Sequence, residues 1–163
     1  MKKTVTILAA LLLLCASAFA QDAKSIYNKY SDEDGVSAVF ISPAMFKMIG
    51  KIPSLDLGSD GSKVDITPIV KSLKGFYLLN TSDKAVGSKL SSDIKKLLNG
   101  GKFEMMMEAK EDGETMRIYT SGDDDTVTSF VMMALDGSET TFISMDGLIS
   151  RKDFEKMMEG LAK

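Results

Sequence analysis

The apolar period changes to two after Gly101, and that switch constrains the fold more than any other feature of the chain. Phe103, Met105, Met107 and Ala109 fall on one side of an extended strand, and Glu104, Met106, Glu108 and Lys110 on the other. Glu111-Asp112-Gly113-Glu114 supplies an Asp-Gly hairpin turn. Thr115 to Ser121 returns with Met116 and Ile118 inward, and Gly122-Asp123-Asp124-Asp125 turns again. Thr126 to Leu135 is the next strand, Asp136-Gly137 the next turn, and Glu139 to Met145 the last strand. Three tight hairpins in succession make an antiparallel meander. Such strands alternate apolar and polar residues, so one face is expected to stay wet.

The residues before Gly101 read differently. A short helix is predicted over Ala23 to Tyr30, with Ile26, Tyr27 and Tyr30 on one side, ended by Asp32-Glu33-Asp34-Gly35. Val36 to Ile41 is a compact apolar run of strand type. Ser42-Pro43 reads as an N-cap followed by proline at the first helical position, opening a helix that buries Met45, Met48 and Ile49 and stops at Gly50. Thr67-Pro68 repeats the device; Ile69, Val70 and Leu73 form its stripe and Gly75 its end, before a strand over Phe76 to Leu79. Ser82 or Asp83 caps a longer helix carrying Val86, Leu90, Ile94, Leu97 and Leu98, terminated by Asn99-Gly100-Gly101. Ser150 and Asp153 resemble a capping box for a last helix with Phe154, Met157, Met158 and Leu161 inward. The predicted class is α+β: one antiparallel sheet with a C-terminal four-strand meander and helices packed mainly on one face.

The first twenty residues carry an address. Lys2 and Lys3 precede an apolar run over Val5 to Leu14, and Ala18-Phe19-Ala20 gives the small-x-small pattern of a signal-peptidase site. Residues 1–20 are therefore expected to be a signal peptide, and residues 21–163 a single exported α+β domain in the periplasm or cell envelope. Cys15, the sole cysteine, follows Leu13-Leu14, a poor match to a lipidation site, so a lipoprotein anchor is not expected. The apolar run is too short to span a bilayer, and no later run approaches that length, so the mature chain is expected to lack a transmembrane segment.

Composition excludes several chemistries. The net charge is −3, and losing Lys2 and Lys3 makes it more negative by two, which argues against a nucleic-acid footprint. There is no histidine, and cleavage after Ala20 would leave no thiol. Together these remove the commonest general base, the Ser-His-Asp and Cys-His arrangements, disulfides, and most zinc and copper(II) sites. No Gly-x-Ser-x-Gly, Ser-x-x-Lys or phosphate-binding glycine pattern appears. No enzyme activity and no cofactor are expected.

The order of segments resembles an uncharacterised family of exported bacterial proteins, domain of unknown function 4252, found mainly in the Bacteroidetes. The resemblance is carried by Val39-Phe40-Ile41-Ser42 leading into Met45-Phe46-Lys47, by Phe76-Tyr77-Leu78-Leu79, and by the C-terminal half. There the matching segments are Met106-Met107-Glu108-Ala109-Lys110, Met116-Arg117-Ile118-Tyr119, Val131-Met132-Met133 and the stretch around Gly147. The resemblance implies a role in the cell envelope, with an association to extracytoplasmic signalling; it implies no active site.

Three groups of residues offer candidate sites. Met105-Met106-Met107, Met132-Met133 and Met157-Met158 offer thioethers to copper(I), against the plainer reading of methionine as flexible core filler, which is preferred because no His or Cys supports a soft site. Asp123-Asp124-Asp125, Asp32-Glu33-Asp34 and Asp56…Asp60…Asp65 are acidic, but none has the spacing of a calcium loop, so no metal is expected. The long Lys51–Asp65 loop is the remaining candidate. Its Leu55, Asp56, Leu57 and Asp60 either tuck onto the sheet or meet a partner. The functional expectation is an exported, non-catalytic envelope module that binds another protein. The alternative is a carrier of a small apolar ligand or lipid, its pocket lined by the Met-rich sheet face and the helix stripes.

Overall fold

The structure, a computed structural model, describes residues 22–49, 55–56, 63–64 and 67–161. The signal-peptide reading of residues 1–20 and the Gly50 helix stop lie outside the described residues.

Most helices start where their cap chemistry places them. Helix α1 (Ala23–Tyr30) is closed by a reciprocal capping box in which the Asp22 carboxylate accepts from Ser25 N–H at 2.7 Å and Ser25 Oγ accepts from Asp22 N–H at 3.1 Å. Strand β1 (Val36–Ile41) leads into α2 (Pro43–Ile49), whose Met45 N–H donates to Ser42 Oγ at 3.2 Å. Two short strands, β2 (Leu55–Asp56) and β3 (Lys63–Val64), form an antiparallel ribbon inside the long loop, an element the sequence reading lacked. Helix α3 (Thr67–Val70) is a single turn, and β4 (Leu73–Thr81) follows. Helix α4 (Lys84–Leu98) is capped by Asp83, whose carboxylate accepts from Ala85 and Val86 N–H at 2.8 and 2.9 Å.

The meander is β5 (Glu104–Glu111), β6 (Glu114–Gly122), β7 (Thr126–Leu135) and β8 (Thr140–Ser150), followed by α5 (Arg151–Leu161). Asp112 and Gly113 join β5 to β6 with φ of 46° and 91°, the left-handed pair that a two-residue hairpin requires. Ser150 Oγ accepts from Asp153 N–H at 3.2 Å and donates to its carboxylate at 2.7 Å, so the predicted cap forms.

All six long strands pair antiparallel in the order β1-β4-β8-β7-β6-β5. The α+β class and the four-strand meander are as expected. The helix cover is not: helices lie on both faces rather than mainly one. On the front face α1 and α4 bring Ile26, Leu90 and Ile94 onto Tyr77, Leu79, Val131 and Phe142. On the back face Phe46 of α2, Ile69 of α3 and Phe154 of α5 meet Phe76, Ile118, Phe130 and Met145. Neighbours such as Phe76 and Tyr77 thus sit in different cores, so the central strands have no wet face. Their sequence already shows it, since β4 reads Phe-Tyr-Leu-Leu without a polar partner for each apolar residue.

Two further expectations are corrected. Leu73 and Gly75 belong to β4, not to a helix: Leu73 pairs with Gly147 and Gly75 with Asp146. A side chain at 75 would come within 2.7 Å of Tyr77 Oη, so Gly75 is the floor on which that phenol lies. Among the described side chains of α2 the buried one is Phe46, 3% exposed, while Met45 and Met48 are 47% and 82% exposed. The bulkier aromatic turns inward and the two methionines turn outward, and the Ile49 side chain lies outside the described residues.

Candidate functional site

The sheet ends in two edges, and their chemistry differs. The β1 edge has six residues with no charge and no proline, and among the described residues no strand pairs with its outer side. Such an edge offers free backbone donors and acceptors to another chain. Val39 and Phe40 are 44% and 47% exposed, and α2 immediately adds exposed Met45 and Met48. Aromatic packing holds the strand rigid from behind. Phe40 stacks on its register partner Tyr77 at 5.3 Å, and Tyr27 of α1 lies 5.5 Å from Tyr77 and 6.0 Å from Phe40.

The β5 edge is built against pairing. Four of its residues, Glu104, Glu108, Lys110 and Glu111, are charged, and every residue is exposed. A bulge between Met105 and Met107 breaks its register. Glu108 accepts from Lys110 at 2.7 Å and from Arg117 at 2.5 Å, and those two cations, Lys110 foremost, hold its carboxyl below its ordinary value.

That bulge also settles the methionine clusters. Met105 stands opposite Tyr119 and Met107 opposite Ile118, so the two face opposite sides of the sheet, not one shared side. Met132 and Met133 pack into different cores. Neither pair can converge on one ion. Met133 is core filler, as expected, whereas Met105, Met106 and Met107 are solvent-facing rather than core. The Met157 side chain lies outside the described residues.

The acidic turns have local work. Asp123 Oδ1 accepts from Asp125 and Thr126 N–H at 3.0 and 2.8 Å, which closes the β6–β7 turn. Arg151 ties that turn to α5 by donating to the Asp123 carbonyl at 2.7 Å. Among the described residues, no group of three or more His, Cys, Asp or Glu is placed to hold a metal ion.

Within the Lys51–Asp65 segment, Leu55 pairs with Val64 and Asp56 with Lys63. Leu57 and Asp60 lie outside the described residues. Of the helix stripes offered for a ligand pocket, Leu90 and Ile94 are fully buried in the front-face core.

Two polar groups escaped the sequence reading. Asp93 of α4 is 5% exposed and accepts from Tyr30 Oη at 2.9 Å, Lys29 Nζ at 2.5 Å and Lys96 Nζ at 3.0 Å. Burial alone would raise its carboxyl, but those three donors overcome it and hold it at about 2. It latches α1 to α4. The visible signal was a carboxylate set between Leu90, Ile94 and Leu97 within an apolar stripe. The second is Asp146, on the front face opposite Gly75, which accepts from Ser129 Oγ at 2.8 Å. Burial raises its carboxyl, and the charge of Asp22 adds to that. Burial, then Asp146 and Asp22, raise the Tyr77 phenol as well.

A family model, Domain of unknown function (DUF4252), matches residues 30–157, which runs from the end of α1 into α5 and takes in the whole sheet. The chain belongs to this family. DUF4252 in this chain is thus the α+β unit with the contrasting edges just described. Comparison with curated proteins and with solved structures gave no match. Among the described residues no helix is long and apolar enough to cross a membrane.

Proposed function

We propose that this DUF4252 protein is an exported, non-catalytic module of the cell envelope that binds another protein, in keeping with a signalling-associated role. The observation that carries the reading is the β1 edge. An uncharged edge strand with Val39 and Phe40 half-exposed is costly to leave in water unless something covers it. Extended-strand addition would satisfy its backbone and cover those side chains at once. The β2–β3 ribbon, with Leu55, Asp56, Leu57 and Asp60 in and beside it, is the second contact element of the proposal.

The test is photocrosslinking in the native envelope, with a benzophenone side chain at Val39 in one variant and at Met106 in another. A discrete adduct from Val39 and none from Met106 is the expected result. Equal or absent adducts at both positions would sink the reading. Replacing residues 51–65 with a Gly-Ser linker should weaken capture while leaving the unfolding transition in place; unchanged capture would remove the ribbon from the proposal.

A further inference from the structure

We propose that the occupant of the β1 edge is β1 of a second copy of this chain, related by a two-fold axis at Val39, so that two six-stranded sheets join into one. This rests on reading β1 as a protein-binding edge and names what binds there.

The geometry of self-pairing is restrictive. Opposite residues in an antiparallel ladder point their backbone groups the same way, either toward each other or apart. A strand pairing with its own copy must therefore turn about a residue, not about a peptide bond. With the axis at Val39, Val39 meets its own copy, Phe40 falls opposite Ala38, and Ser37 falls opposite Ile41. The front-face pair sets a large ring over a small residue, and that ring is already stacked on Tyr77. The back-face pairs set Val39 against itself and Ile41 beside a short hydroxyl. With the axis at Ala38, Phe40 would instead meet β-branched Val36, and Val39 would lose its apolar partner to Ser37.

Charge agrees with that arrangement. No ionised group lies within Val36–Ile41, so self-pairing buries none. The reversal also carries the exposed Asp32-Glu33-Asp34 turn of one copy to the end where α2 of the other begins, with its exposed Lys47. Each interface has this pairing twice, as a two-fold requires. At the opposite edge, the bulge and the charges of β5 prevent the same solution.

The experiment is analytical ultracentrifugation of the mature chain and of Val39→Lys across micromolar concentrations, with thermal unfolding followed alongside. The wild type should sediment with the mass of two chains. Val39→Lys sets two ammonium groups face to face at the axis and should raise the dissociation constant about a hundredfold. Ser37→Lys, at an already exposed position, is the second variant should the first fail to fold. A wild type with single-chain mass throughout would overturn the inference. So would a two-chain mass that persists in both lysine variants, because the contact would then lie elsewhere. If the wild type is a single chain and the Val39 photoprobe still gives an adduct with a different protein, the self-pairing falls while the protein-binding function stands. If neither appears, both fall.

Discussion

The two ends of this sheet are made from the same kind of element and solve opposite problems. Every residue of β5 is exposed, and the strand survives in water by carrying charge, breaking register at Met106 and bonding Glu108 to two cations. β1 lies beside β4, has no charge, and is anchored by the packing of its Phe40 ring on Tyr77 and Tyr27. Exposed apolar side chains therefore mean different things at the two ends. The methionines of β5 sit on a strand whose backbone geometry resists a new neighbour. Val39 and Phe40 sit on a strand whose geometry invites one.

The sharpest way to break the comparison is to remove the ring behind β1. Tyr77 is 5% exposed and touches both other aromatics, so Tyr77→Ala should cost about 3–4 kcal/mol in equilibrium urea unfolding. Met106→Ala, on the bulge of β5, should stay within about 0.5 kcal/mol. Similar losses at the two positions would mean that β1 is no better anchored than β5.

The next effect comes from acid. Asp93 holds α1 against α4, and α1 delivers Tyr27 to the cluster behind β1. A carboxyl lowered from 3.8 to about 2 contributes stability that is fully present above pH 3.8 and is lost as pH falls toward 2. The loss should be up to about 2 kcal/mol. Asp93→Asn should flatten that acid limb, and hydrogen exchange should show α1 and β1 amides opening before those of β7. An unchanged acid limb in the variant would assign the loss to other carboxylates.

Much of this architecture is written in local signals. Asp22, Ser42, Asp83 and Ser150 each cap the helix that follows, and Asp112-Gly113 makes the hairpin its composition demands. What could not be read locally is which side of an element wins burial. Met45, Phe46 and Met48 are all apolar, and only the back-face core selects Phe46. The period of two at Met105 and Met107 is broken by a bulge that leaves no mark in composition. Two-sided helix cover depends on where α1 and α4 return relative to α2, α3 and α5, which periodicity alone does not encode. The candidate surface was legible in part: the Val39-Phe40-Ile41 run was visible as a strand, but its place at the end of the sheet follows from pairing with β4 alone.

A smaller effect of opposite sign concerns Asp146, on the strand beside β4. Its carboxyl is raised by burial and then by Asp22, so ionising it costs more in the folded chain than in the unfolded one. That penalty is absent below the unfolded value of 3.8 and grows as pH rises through the folded value. Asp146→Asn keeps an acceptor for Ser129 and should therefore stabilise the chain at pH 7 while doing nothing at pH 3. Stabilisation at both pH values would mean that packing, not charge, is what changed.

The smallest effect on stability separates the two ends most cleanly. Peroxide converts exposed thioethers to sulfoxides, and reactivity follows access. Met48, Met105, Met106, Met45 and Met107 are 82%, 51%, 47%, 47% and 39% exposed, whereas Met133 and Met145 are 1% and 8%. Mild peroxide should therefore oxidise the first five while the unfolding midpoint stays within about 0.5 kcal/mol of its starting value, because none of them is in a core. Association should respond differently. Sulfoxides at Met45 and Met48 place polar groups beside the β1 edge and should weaken self-association. Sulfoxides at Met105, Met106 and Met107 should leave it unchanged. A Met45→Leu, Met48→Leu variant would isolate the two ends, since it removes the oxidisable groups near β1 and keeps those of β5. It should remain two-chain after the same treatment. If it dissociates as readily as the wild type, β5 and not β1 carries the contact, and the contrast between the edges is reversed.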